Sequence, residues 1–387
     1  MAEEPTPAPA AAVAIRLREV TKRFPGADTD AVGGLSLDVA KGSTVALIGP
    51  SGCGKTTTLR MINRLVEPTS GTIEIEGRDV TGTPVATLRR GIGYVIQQVG
   101  LFPHQTVAKN IAAVPNALGW DKARTKARIA ELATLVGLDD SLLGRYPDEL
   151  SGGQQQRVGV ARALAADPPV LLMDEPFGAV YPVVRGRLQD ELVALQARVH
   201  KTIVLVTHDL DEAIKLADRI ALMNVGGVLE QYATPDELLR APANEFVERF
   251  VGEDRSIRRL TLATVADLPF DGGPVVEAGA SADEARAAMA AHRSEWFGLT
   301  DDGVFLGWVP GSALANGQDR SLDQLPRSLP AAQVKAASTL RTAMEIIMTS
   351  DTSVAVVDDG GRFGGVVTLE RIRAALADKG AAGSVDR

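Results

Sequence analysis

The stretch VALIGPSGCGKTT, Val45 to Thr57, decides how the rest of the chain is read. Val45, Ala46, Leu47 and Ile48 form an apolar run without polar alternation. Such a run suits a strand buried on both faces of a parallel sheet. The following nonapeptide, Gly49 to Thr57, fits the pattern G-x-x-x-x-G-K-[ST] between a strand and a helix. Gly49, Gly52 and Gly54 permit tight turns and a close approach of backbone to ligand. Successive N–H groups around Ser51, Cys53 and Thr57 can then converge as an anion nest. The helix start adds about half a positive charge. Lys55 would reach the β and γ phosphates of a nucleotide, and the Thr56 hydroxyl would ligate Mg²⁺. A glycine-rich loop without a ligand is the alternative, and the strand–loop–helix context weighs against it. Cys53 is read as a small residue that fits the loop, rather than as a redox-sensitive thiol at a helix start.

Further apolar runs occur at VLLMD (170–174) and TIVLVTH (202–208), and helical patterns follow each. This alternation predicts an α/β fold with a mainly parallel sheet. GTIEIEG (71–77) alternates and reads as a half-exposed antiparallel strand. Between residues 106 and 167 the pattern is helical, which predicts a helical subdomain inserted into the α/β core. VLLMDE (170–175) ends in two acids. Asp174 would hold Mg²⁺ through water, and Glu175 would polarise an attacking water. Two acids at a strand end could also be a solvated turn, but the phosphate loop upstream favours the paired role.

The whole chain has 387 residues, enough for two or three domains. Its net charge of -8 gives no general electrostatic help with nucleic acid, so no nucleic-acid partner is expected. One cysteine excludes an intrachain disulfide and fits a reducing compartment. Residues 1–14, MAEEPTPAPAAAVA, lack the basic start and apolar block of a signal peptide and read as a disordered leader. No apolar run approaches the roughly 20 residues needed to span a bilayer, so any membrane action requires docking on other subunits.

After Gly252 the composition becomes Ala- and Gly-rich and a weak repeat appears. VEAGASADEARAAM (276–289) matches VKAASTLRTAM (334–344), and FGLTDDGVFLGWV (297–309) matches VAVVDDGGRFGGVV (354–367). Each copy reads as helix, strand, Asp-Asp-Gly turn and strand, so two copies would share a core.

LSGGQQQR (150–157), taken with the phosphate loop and VLLMDE in that order, resembles the ATP-binding-cassette (ABC) ATPases over about residues 15–250. The resemblance implies ATP and Mg²⁺ as ligands. It implies that Ser151, Gly152, Gly153 and Gln154 cap the γ-phosphate held by a second copy in a head-to-tail dimer. By the same resemblance Phe24 stacks on adenine. Gln97 touches Mg²⁺ and senses the membrane partner, with the adjacent Gln98 as alternative. His208 contacts the γ-phosphate, and LFPHQTVAKNI (Leu101–Ile111) receives the coupling helix of a transmembrane permease. The implied domains are an ATPase at 15–254 and a regulatory unit at 255–387.

EPFGAV, GYVIQQVGLFPHQTV and the stretch 207–255 are similar to the importer ATPases for glycine betaine, choline or proline betaine. These work with an extracytoplasmic solute-binding protein. That resemblance implies a peripheral subunit on the cytoplasmic face of the membrane. The repeat resembles a tandem cystathionine-β-synthase-type (CBS) pair, an α+β module, but in degenerate form. GVVTLER (365–371) has Arg371 where the ribose-binding Asp belongs, and GWVPGSA (307–313) lacks both Thr and Asp. Trp296 and Trp308 are read as core rather than as a cation–π cage for a quaternary amine. Tyr181 stands where the family pattern FGALD has Asp. A phenol of reference pKa about 10 is uncharged at neutral pH, so reduced turnover is expected. Import of another solute, such as an amino acid or polyamine, and a weakly hydrolysing regulatory switch are the alternatives. A DNA-repair role would need a long coiled coil between phosphate loop and signature, and a translation role a second cassette; this chain has neither pattern.

Overall fold

A computed structural model describes residues 12–378 except 98, 99, 179, 181, 271, 315–320, 328–331, 351 and 352. The chain divides at Gly252/Glu253 into two compact units. In the first run β1 (Val13–Lys22), β2 (Val32–Ala40), β3 (Thr44–Ile48), α1 (Lys55–Ile62), β4 (Ser70–Ile75), β5 (Arg78–Asp79), α2 (Val85–Arg90) and β6 (Ile92–Val95). A helical stretch follows: α3 (Val107–Ala117), α4 (Lys122–Leu135) and α5 (Gly152–Leu164). The unit closes with β7 (Val170–Asp174), α6 (Pro182–Val199), β8 (Thr202–Val206), α7 (Leu210–Leu216), β9 (Arg219–Asn224), β10 (Val228–Ala233), α8 (Pro235–Arg240) and α9 (Glu245–Val251).

Two sheets carry this unit. The larger has the order β10-β9-β3-β8-β7-β6, parallel throughout except for the β9–β10 pair. Every residue of β3, β7 and β8 is buried, which is why these strands read as unbroken apolar runs. The smaller sheet, β2-β1-β4-β5, is antiparallel, and β4 alternates at its C-terminal half as its sequence requires. Parallel order places the C-terminal ends of β3, β8 and β7 in a row, so their three loops open on one edge. β1 already begins at Val13, which corrects the expectation that the leader runs to Ala14. The rest of that leader, residues 1–11, lies outside the described residues.

The second unit holds α10 (Arg255–Arg259), then β11 (Val275–Glu277), α11 (Ala282–His292), β12 (Trp296–Asp301) and β13 (Val304–Pro310). A second set follows: β14 (Gln333–Lys335), α12 (Leu340–Ser350), β15 (Val354–Val357), β16 (Phe363–Val367) and α13 (Leu369–Asp378). Each set makes a three-stranded sheet whose first pair is parallel and second antiparallel. The leading strands β11 and β14 are an addition to the pattern read from sequence, which counted those residues with the helix. Three residues are too few to show a period, and pairing with β12 or β15 is what extends them. The two turns exchange hydrogen bonds reciprocally: Phe305 N–H donates to Gly361 O (3.0 Å) and Phe363 N–H to Gly303 O (2.8 Å). Phe305 and Phe363 stack with centroids 6.0 Å apart. Trp308 is 1% exposed, meets Phe305 edge-on and donates from Nε1 to Ala332 O (3.1 Å). Trp296 packs against the same cluster, so both tryptophans belong to a core.

Candidate functional site

The loop after β3 has a backbone that only glycine allows at two positions. A Cβ on Gly49, at φ +144°, would lie 2.0 Å from Met223 O. One on Gly54, at φ +93°, would lie 2.3 Å from Ala31 O. Gly54 caps α1, so the free N–H groups at the start of that helix face the loop. A cavity of about 550 Å³ opens there, lined by Ala31, Ser51–Thr57, Glu175 and His208. Lys55 is buried and folds its ammonium onto the loop, donating to Gly49 O (2.8 Å) and Pro50 O (3.0 Å). Cys53 is fully buried, its Sγ 3.6 Å from Lys55 Nζ, and so is shielded from solvent oxidants.

β7 delivers the acids. Asp174, 5% exposed, accepts a hydrogen bond from Thr56 Oγ1 (2.9 Å). Burial pushes its carboxyl above the usual range, although Thr56, Arg60 and Lys55 oppose the shift. A buried carboxylate held on a hydroxyl fits a divalent cation that takes its other ligands from phosphate and water. Among the described residues no cluster of three His, Cys, Asp or Glu forms a self-sufficient metal cage. Glu175 has φ +45°, an unfavourable region for a side-chain-bearing residue, and its N–H donates to Val206 O (2.9 Å). Its Oε2 accepts from Gln97 Nε2 (2.8 Å), and His208 Nδ1 lies 3.5 Å from the same oxygen. Two residues far apart in sequence, Gln97 and His208, thus converge on one oxygen of Glu175 at the cavity wall.

Other expected residues lie elsewhere. Ser151 caps α5 in a reciprocal box: Gln154 N–H donates to Ser151 Oγ (3.3 Å) and Ser151 N–H to Gln154 Oε1 (2.8 Å). Neither Ser151, Gly152, Gly153 nor Gln154 lines the phosphate-loop cavity of their own chain. Phe24 is exposed, carries Lys22 Nζ 5.2 Å from its ring centroid, and does not line that cavity either. Gln98 and Tyr181 lie outside the described residues.

The segment 101–111 is knotted by Asn110, which is fully buried. Its Oδ1 accepts from Phe102 N–H (2.8 Å), while Nδ2 donates to the carbonyls of Phe102, Gln105 and Thr106. Beside it a groove of about 510 Å³ is lined by Ile96, Phe102, Val114, Ala117 and Arg162 among others. Two residues had no sequence signal. Asn110 reads as an ordinary polar helix residue. Glu212, in the first turn of α7, reads as solvated, yet is 4% exposed with an ionisation pushed up to about 7, chiefly by burial and then by Asp209.

The family model described as "ABC transporter" matches residues 32–178. The chain is 47% identical to the osmoprotectant import ATP-binding protein OsmV of Salmonella typhimurium, over 92% of this chain and 95% of that protein. It is 45% identical to the glycine betaine/carnitine/choline transport ATP-binding protein OpuCA of Bacillus subtilis, over 94% and 95%. Among solved structures, the dimeric bacterial ABC transporter cassette MJ0796 superposes with a TM-score of 0.52 at 32% identity, over 57% of this chain and 98% of the cassette.

Proposed function

We infer, from the premise that this chain belongs to the ATP-binding subunits of ABC transporters, that it is the ATPase of an importer for quaternary-ammonium osmoprotectants such as glycine betaine, choline and carnitine. The observation that carries the ATPase chemistry is the convergence of Gln97 and His208 on Glu175 Oε2 at the wall of the phosphate-loop cavity. The N–H groups from Ser51 to Thr57 take the phosphate oxygens, and Lys55 turns from the Gly49 and Pro50 carbonyls to the β and γ phosphates. Thr56 and Asp174 would hold Mg²⁺, which when bound neutralises developing phosphate charge. Glu175 orients the attacking water and accepts its proton. Gln97 and His208 hold that carboxylate in place, and the largely exposed His208 ring turns to the γ-phosphate when nucleotide arrives.

Ser151 to Gln154 present a capped helix start away from their own phosphate loop, which supports their serving the loop of a second copy. Phe24 at the exposed edge is left to stack on adenine. The groove beside Phe102, with the segment Leu101–Ile111, receives the permease's coupling helix, at the cytoplasmic face of the membrane. An extracytoplasmic binding protein selects the solute. The solute class rests on relatives matched along nearly the whole chain, second unit included. That unit's paired sheets support a degenerate CBS-like regulatory role. Arg371 Nη1 bonds Pro269 O, which ties down the side chain standing where the nucleotide motif has its acid.

The test is ATP-driven uptake of labelled glycine betaine by the subunit reconstituted with its permease. Glu175→Gln is expected to keep ATP binding and lower turnover and uptake by at least about a hundredfold. Undiminished hydrolysis in that variant would reject the catalytic assignment, and uptake of no quaternary amine would reject the solute class.

A further inference from the structure

A second cavity, of about 390 Å³, lies away from the phosphate loop, between the end of α4, the middle of α5 and one face of α6. Leu135, Val160, Phe177, Leu188, Leu192 and Leu195 make its apolar wall. Its charges are unbalanced. Arg157 Nη2 donates to Glu191 Oε1 (2.5 Å) and Arg187 Nε to the same oxygen (3.2 Å). Arg198, also on the wall, makes no ion pair among the described residues. The wall therefore carries one carboxylate and three guanidinium groups, two of them bonded to it. Arg187 and Arg198 are eleven residues apart on α6, about 16 Å along the helix, with leucines between them. Gln156 is 4% exposed and lies on the same wall, and its Nε2 has no hydrogen-bond partner.

We propose that this cavity is a binding site for an elongated amphipathic anion, an apolar body with one carboxylate or sulfonate head. The head sits on Arg198, which alone among the described cations of this wall has no counter-ion. The body runs along Leu195, Leu192 and Leu188 towards Phe177. A pocket of this volume and lining suits a small molecule rather than a protein segment. The ligand would touch α5, which begins at the signature residues, and Phe177, two residues beyond Glu175. Occupancy therefore alters ATP turnover, a consequence that rests on the ATPase reading, whereas binding itself does not.

The experiment is calorimetric titration of the full chain with decanoate. One saturable site per chain is expected. Arg198→Gln should weaken it about fivefold, the scale of a partly exposed ion pair. Ala194→Phe, placed on the exposed rim, should block it, with unchanged circular dichroism showing that both variants fold. Decanoate should change steady-state ATP hydrolysis in the parent and not in Ala194→Phe. No saturable binding, or binding equally tight in both variants, overturns the proposal. Binding lost in the variants but without effect on hydrolysis upholds the site and refutes only its coupling to turnover.

Discussion

Glu212→Gln isolates the cost of ionising one buried acid in the first unit. Glu212 is 4% exposed, and its Oε1 has no hydrogen-bond partner. Burial is the main cause of its raised ionisation. Asp209 and Glu175 add to it, while Arg185 and the Thr207 hydroxyl oppose it. The carboxyl moves from 4.5 to about 7, so between those values the native state holds a proton that the unfolded chain has lost. Its contribution to stability is thus present below pH 4.5 and disappears as pH rises through 7. At 1.36 kcal/mol per pH unit, ionised Glu212 costs the native state about 3 kcal/mol. The uncharged amide of Gln carries no such cost. In urea unfolding followed by circular dichroism, the advantage of Glu212→Gln over the parent should grow by about 2–3 kcal/mol between pH 5 and pH 8. An advantage equal at both pH values, within about 0.5 kcal/mol, would refute the assignment of a raised ionisation to Glu212.

Gly49→Ala should destabilise the first unit by more than about 3 kcal/mol, because its Cβ would lie 2.0 Å from Met223 O at φ +144°; thermal unfolding reads this, and ATP binding falls with it. Trp308→Ala should cost the second unit about 3–5 kcal/mol through loss of its core ring and the bond to Ala332 O, with ATP affinity unchanged in a nucleotide-binding titration. Tyr181→Asp should raise steady-state ATP hydrolysis several-fold, since it restores a carboxylate where a phenol of reference pKa about 10 is uncharged. Equal turnover in the two proteins would show that Tyr181 does not limit the engine.

By itself the sequence determined the elements whose physics is local. The apolar runs of β3, β7 and β8, polar only at one end of each strand, announce strands covered on both faces. The phosphate loop is legible because its glycine spacing is a backbone requirement, and Gly49 and Gly54 meet neighbouring carbonyls that admit no side chain. The capping box of Ser151 and Gln154 is equally local, although on sequence these residues read only as a cap on nucleotide. Tertiary structure decided what depends on partners distant along the chain. It brought Gln97 and His208 to one oxygen of Glu175, because parallel strand order sets their loops at a common edge. It added β11 and β14, which are too short to show a period and exist through pairing. It also buried Glu212 and Asn110, whose side chains carry no mark of burial in a sequence, since desolvation is a property of the packed surroundings and not of the residue.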